Sequence, residues 1–180
     1  CWRSLLKEWS ANGFSEFIVL IDRENNVPRL PEYTYVKSAP FDYFKRAEER
    51  KKIDAICKSY DITTFISTYY TTPETTPSIL LVHDMIPEIM GFDLSNEQWR
   101  AKHEAIEHAN KYLAVSESTR KDLLRLCKDI KQDQVRVTLC GTYFRHQPPE
   151  LVASFMQRFG INAPYFLLSG VKSDYKNAEL

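Results

Sequence analysis

His83 directly follows the apolar run SILLV, and Asp84 comes next. If that run is a strand of an open parallel sheet, the residue ending it projects into the crevice beyond the carboxyl edge, where such sheets bind ligands. An imidazole placed there can donate to a hydroxyl or accept a proton near neutral pH. A histidine satisfied within the strand edge is the plainer reading. Asp84 can orient that loop or cap the turn at 85–88, and Glu88 is a candidate for contacting an acceptor group or a solvated carboxylate. Two more apolar runs end in the same way, YLAV in Ser116-Glu117 and YFLL in Ser169-Gly170. Ser116 and Glu117 open a helical pattern whose first amides can hold a phosphate or polar group, unless Ser116 serves only as its cap. Lys172 and Lys176 follow the flexible Gly170 and precede a helix expected from about Asn177. Two ammonium groups beside a helix start can grip a pair of phosphates, although loop lysines are commonly just solvated.

Several other chemistries are excluded by spacing. In KHEAIEHAN, His103 and His108 are five residues apart. That turns a helix by about 500 degrees and sets the rings about 140 degrees apart, so shared metal ligation as in H-E-x-x-H fails. His108 is expected to face the core and His103 solvent, with Glu104 and Glu107 on the helix surface. The chain contains no G-x-S-x-G elbow, no G-x-x-x-x-G-K-[ST] or G-x-G-x-x-G loop, and no D-x-D motif. Tyr69 and Tyr70 head a polar, threonine-rich loop, where an aromatic ring can stack on a sugar or fold over the sheet.

The elements that must position these residues are legible as alternating patterns. The opening CWRSLLKEWS spaces Trp2, Leu5, Leu6 and Trp9 as one face of a helix, and Asn12-Gly13 ends it. Residues 16–22 read as a buried strand, and 25–31 as a loop. The stretch 41–60 reads as a charged helix with an apolar stripe of Phe41, Phe44, Ala47, Ile53 and Ile56, Pro40 lying near its start. Strands follow at 62–67, 78–84, 112–115 and 135–139, the last near a sheet edge. Between them lie a helix at 95–110, with Ser95 as cap and Gln98 as its capping-box partner, and a second capped by Ser116 and running to 126 or 127. Strands separated by helices predict one mostly parallel sheet across 16–139, flanked by helices, with His83 and Ser116 on the same rim.

Pro148-Pro149 marks a linker. Leu151, Val152, Phe155, Met156 and Phe159 then recur at helical spacing, Gly160 stops them, and 165–168 reads as a strand that needs another sheet to join. The expected organisation is therefore a domain at 1–147, incomplete at its start, a linker and helix at 148–163, and the beginning of a second domain at 164–180.

The 180 residues are 43% hydrophobic, enough for one domain with a core. Twenty-four basic side chains balance twenty-four acidic ones, so total charge predicts no nucleic-acid surface. The four cysteines, Cys1, Cys57, Cys127 and Cys140, are too scattered for a disulfide framework or zinc site, which fits a reducing cytoplasm. No apolar run reaches the ~20 residues that span a bilayer, so no spanning helix is expected, while peripheral membrane association stays open.

Taken in order, ILLVHDMIPE, AVSESTRKDLL, VRVTLCGTYF and LLSGVKSDYKN resemble the retaining GT-B glycosyltransferases, the large family that includes sucrose and mannosyl transferases. The resemblance covers nearly the whole chain. It implies an α/β fold with a Rossmann-like, mostly parallel sheet and flanking helices: a GT-B type N-terminal, acceptor-side domain plus the start of a second, donor-side Rossmann-like domain in the same polypeptide. The implied active site lies in the cleft between them, with a nucleoside-diphosphate sugar as donor substrate, a glycan, lipid or small molecule as acceptor, and no cofactor or metal. His83 matches the family histidine near the transferred sugar and acceptor, and is the catalytic candidate. Lys176 matches the lysine that contacts the donor diphosphate, Lys172 stands where relatives often carry arginine, and Gly170 precedes them. Asp84, Glu88, Ser116 and Glu117 are the candidate cleft residues. Gly141 falls at the glycine of the N-G-V-D segment, but its context here is Cys140-Gly141-Thr142-Tyr143. The family's glycine-rich loop would precede Cys1 and its glutamate pair would follow Leu180, so activity is expected of a longer polypeptide. A non-catalytic Rossmann-like interaction or regulatory domain and a nucleotide-sugar epimerase of the same architecture are the competing readings.

Overall fold

A computed structural model describes residues 2–141 and 146–167. The chain divides into two compact units, residues 1–141 and 142–180.

The first unit opens with helix α1 (Trp2–Ala11), of which only Leu6 is fully buried. Gly13, with φ of 78°, turns the chain out of it in the left-handed conformation that glycine adopts without a Cβ penalty. A single 3-10 turn (Ser15–Phe17) precedes β1 (Val19–Asp22), so the sequence-expected strand at 16–22 starts three residues late. β1 pairs in parallel with β2 (Thr34–Lys37), a strand that lay outside the sequence expectation. The loop between them is tied by Tyr35, whose hydroxyl accepts from the Leu30 amide and donates to the Pro28 carbonyl.

The predicted helix at 41–60 is a 3-10 turn (Tyr43–Lys45) followed by α2 (Arg46–Ser59). Of the expected stripe only Ile53 is fully buried, with Phe41 and Ile56 partly so. Phe44 and Ala47 are exposed, whereas Glu49, Ile53, Asp54 and Cys57 are buried. The two buried carboxylates are compensated. Glu49 accepts from Arg23 at 2.9 Å and Lys52 at 2.6 Å, which ties α2 to the end of β1. Asp54 accepts from the backbone amides and side-chain hydroxyls of both Thr75 and Thr76, which pins the loop that carries Tyr69 and Tyr70.

The remaining strands, β3 (Phe65–Ser67), β4 (Ser78–Val82), β5 (Lys111–Ala114) and β6 (Val135–Val137), form a four-stranded parallel sheet in the order β3-β4-β5-β6. The single sheet expected over 16–139 is thus two parallel sheets, because β1 exchanges ladder bonds with β2, and β3 with β4. β6 lies at the edge, as its pattern predicts. Helices α3 (Ile86–Ile89) and α4 (Glu97–His108) connect β4 to β5, and α5 (Glu117–Leu126) connects β5 to β6. A parallel connection requires such crossovers. Leu80, Val82, Tyr112, Ala114 and Val135 from the strands, with Ala105, Ile106 and Leu123 from the helices, make the core. This is a Rossmann-like α/β architecture.

In the second unit, α6 (Pro149–Arg158) starts on a proline, whose missing amide costs nothing at that position. It ends at Gly160, with φ of 62°. The described residues of the expected 165–168 strand, Tyr165, Phe166 and Leu167, form no strand and are exposed. An apolar run becomes a strand only with a ladder partner, and among the described residues these three have none. Leu168 lies outside the described residues. Among the described residues, no helix is long and apolar enough to cross a membrane.

Candidate functional site

The central strand β4 is bracketed on both sides, and its register with β5 pairs Val82 with Ala114. The chain therefore leaves the sheet at His83-Asp84 and at Val115-Ser116 side by side, at the same carboxyl-end rim, as the sequence predicts. The two exits are bonded together. Thr119 Oγ1 donates to the His83 carbonyl at 3.3 Å, and the Thr119 amide donates to Ser116 Oγ at 3.0 Å. Ser116 is thus the side-chain cap of α5, in the extended conformation such a cap requires. Glu117 points outward; its side chain is 64% exposed and pairs with Arg120 within the helix.

The imidazole of His83 is half-buried, with Nε2 3.3 Å from the Thr68 carbonyl. A carbonyl only accepts, so this contact is a hydrogen bond when Nε2 carries the proton, and the neutral ring then keeps a lone pair on Nδ1.

Asp84 Oδ1 accepts from the Ile86 amide at 3.0 Å, a turn bond that leads the chain into α3, whose N-cap position is Met85. Glu88, read from sequence as an acceptor contact or a solvated carboxylate, is neither free nor solvated. Its side chain is 9% exposed and binds Lys102 Nζ at 2.8 Å and His103 Nε2 at 3.0 Å. Lys102 itself is 2% exposed and lies 6.0 Å from the Trp99 ring centroid. This ion pair fastens α3 to α4 directly behind the His83 loop. His103, its side chain 39% exposed, faces solvent in part as expected while also binding Glu88, and His108 is held by the Thr76 carbonyl at 2.9 Å. Glu104 pairs with Arg46.

Helix α4 is capped by Asn96, whose side chain accepts from the Gln98 amide at 2.9 Å. Ser95, the expected cap, instead bonds Asp93. Gln98 is thereby released from the expected capping box, and its side-chain amide donates to the Tyr69 hydroxyl at 2.8 Å. Tyr69 stacks on Tyr70 with centroids 3.9 Å apart and planes 26° apart, and its ring stands 6.2 Å from that of His83. Tyr70 is buried and packs edge-on against Trp99. Burial drives its phenol well above the usual tyrosine range, reinforced by Tyr69 and by the carboxylates of Asp84 and Glu88. It remains a neutral packing group. Beyond Gln98, an open cavity of about 520 Å³ is lined by Phe44, Arg46, Arg50, Glu97, Arg100 and Glu104. Arg46 spends its charge on Glu97 and Glu104, so this cavity carries cations and carboxylates together.

The structure therefore brings together His83, Asp84 and Ser116 and adds Tyr69, Gln98 and Thr119, while Glu88 is engaged by Lys102 and His103 and Glu117 by Arg120. Gly170, Lys172 and Lys176 lie outside the described residues. The Gln98–Tyr69 tether has no local signature, because it links residues 29 apart. Among the described residues, no group of three or more histidine, cysteine, aspartate or glutamate side chains is placed to hold a metal ion. No protein-family model matches this chain, and no curated protein matches it. The class defined by its coordinates is the Rossmann-like α/β fold, an architecture common to many nucleotide- and sugar-binding enzymes.

Proposed function

We propose that the polypeptide carrying these residues transfers a glycosyl group from a nucleoside-diphosphate sugar to an acceptor hydroxyl, with retention of configuration. The described first unit is its acceptor side. The observation that supports this reading most is the partly open imidazole of His83 at the carboxyl end of the central strand, braced through Thr119 and facing an exposed tyrosine. With the ordered motifs that resemble the retaining GT-B enzymes, that position supports a role for His83 in orienting a hydroxyl near the reacting carbon, not in nucleophilic attack.

In the step, the acceptor oxygen bonds to the anomeric carbon as the bond from that carbon to the diphosphate oxygen breaks, and the hydroxyl proton passes to the departing diphosphate. Lys172 and Lys176 offset the charge that accumulates there, so the electrostatic work requires no metal in this scheme. Gly170 lets the chain approach the phosphates closely.

Titration calorimetry with nucleoside diphosphates tests the donor half. Lys176→Ala is expected to weaken binding by ~1.5 to 3 kcal/mol, roughly ten- to a hundred-fold, and Lys172→Ala by less. An unchanged affinity in Lys176→Ala removes the phosphate assignment.

A further inference from the structure

Tyr69 is 40% exposed although it sits in the middle of an ordered loop, and its ring is held from several directions. Tyr70 supports one face at 3.9 Å, Gln98 anchors the hydroxyl, and Ser67 Oγ donates to the Tyr69 carbonyl. The loop behind it is fastened by Asp54 through Thr75 and Thr76. An aromatic ring fixed in this way and still left open is a preorganised surface, since little side-chain freedom remains to be lost when something lies on it. The imidazole of His83 stands beside it, the planes meeting at 51°, so the two rings form a floor and a wall.

We infer that this corner is the subsite for a pyranose ring, with Tyr69 as the stacking platform and the His83 imidazole as the hydrogen-bonding partner of one sugar hydroxyl. Resting on the transferase reading, it specifies the acceptor as a saccharide or glycoside. A pyranose has the two faces the corner offers places for. Its axial C–H groups form an apolar patch that lies on an aromatic ring at about 4 Å. Its equatorial hydroxyls project sideways, toward the imidazole. A lipid chain would leave the imidazole without a polar partner, whereas a sugar hydroxyl can both donate and accept.

Saturation-transfer NMR without any donor, using methyl glucopyranoside and methyl mannopyranoside as probes and adenosine as a flat aromatic control, tests the subsite on the polypeptide carrying these residues. Transfer to the ring C–H protons of a glycoside is expected, with affinity about three- to ten-fold lower in Tyr69→Leu and restored to within about two-fold in Tyr69→Phe. Matched circular dichroism spectra for the three proteins show that the loop substitution has not unfolded them. Absence of glycoside binding, equal binding in Tyr69→Leu, or binding of adenosine alone overturns the subsite. Glycoside binding lost in Tyr69→Leu, in a protein that transfers no sugar, upholds the subsite while refuting the transferase reading. Transfer to a non-sugar acceptor with no glycoside binding does the reverse.

Discussion

Replacing Asp54 with Asn removes a single charge from the face of α2 that anchors the aromatic loop. The Asp54 side chain is 4% exposed and accepts four donors, the hydroxyls and amides of Thr75 and Thr76. Burial by itself raises its pKa, but the Thr75 hydroxyl, the Thr76 amide and hydroxyl and the Thr75 amide outweigh that and hold it well below the usual carboxylate range. Lys58, 3.7 Å away and largely exposed, adds little. Asparagine keeps one acceptor oxygen and turns an NH2 toward donors. With net values of ~1.5 to 3 kcal/mol for a bond to a charged group, the loss is about 2 to 4 kcal/mol at pH 7. Because the folded pKa lies below the unfolded value of about 3.9, this stabilisation is complete above about pH 5. It fades as the pH falls through about 4 toward the folded value. Urea melts of Asp54→Asn and the parent protein should therefore differ most at neutral pH, the gap closing by roughly 1 kcal/mol between about pH 4 and pH 3. A gap under ~0.5 kcal/mol at pH 7, or one that does not change with acid, would refute the claim that this carboxylate pins the loop.

The other expectations concern the same framework. Lys102→Met strands Glu88 with only His103 and should cost about 3 kcal/mol, much of it regained in Lys102→Met/Glu88→Leu; a double variant no more stable than the single one would contradict the buried pair. Ser116→Ala removes the α5 cap and should lower urea-melt stability by ~1 kcal/mol. Timed iodoacetamide labelling read by mass spectrometry should mark the exposed Cys140 before Cys57, whose thiol is buried and pushed up by that burial. Comparable rates at the two would show that α2 opens readily.

The rim itself was legible in the sequence, since a short apolar run ending in His83-Asp84 and another ending in Ser116 can align only if both are strands of one parallel sheet. Ser116 announces itself as a cap by preceding a helical pattern. What sequence periodicity hid was charge that had gone inside. Glu49 and Asp54 read as the solvated side of α2, yet their partners lie 26 residues before and 21 after in the chain. Glu88 and Lys102 likewise look like surface residues until α3 and α4 close on one another. β2 was missed because four residues between proline-rich flanks carry too short an alternation to register. The run at 165–167 shows the converse, an apolar pattern with strand character and no ladder partner among the described residues.

Steady-state transfer with nucleoside-diphosphate sugars and methyl glycoside acceptors, the product followed by proton NMR at the anomeric carbon, bears most directly on the proposed reaction. The expected product carries a new glycosidic bond with the donor's anomeric configuration, and His83→Ala lowers kcat while leaving nucleoside diphosphate affinity essentially unchanged. An epimerised nucleotide sugar with no new glycosidic bond, or full turnover in His83→Ala, would contradict it.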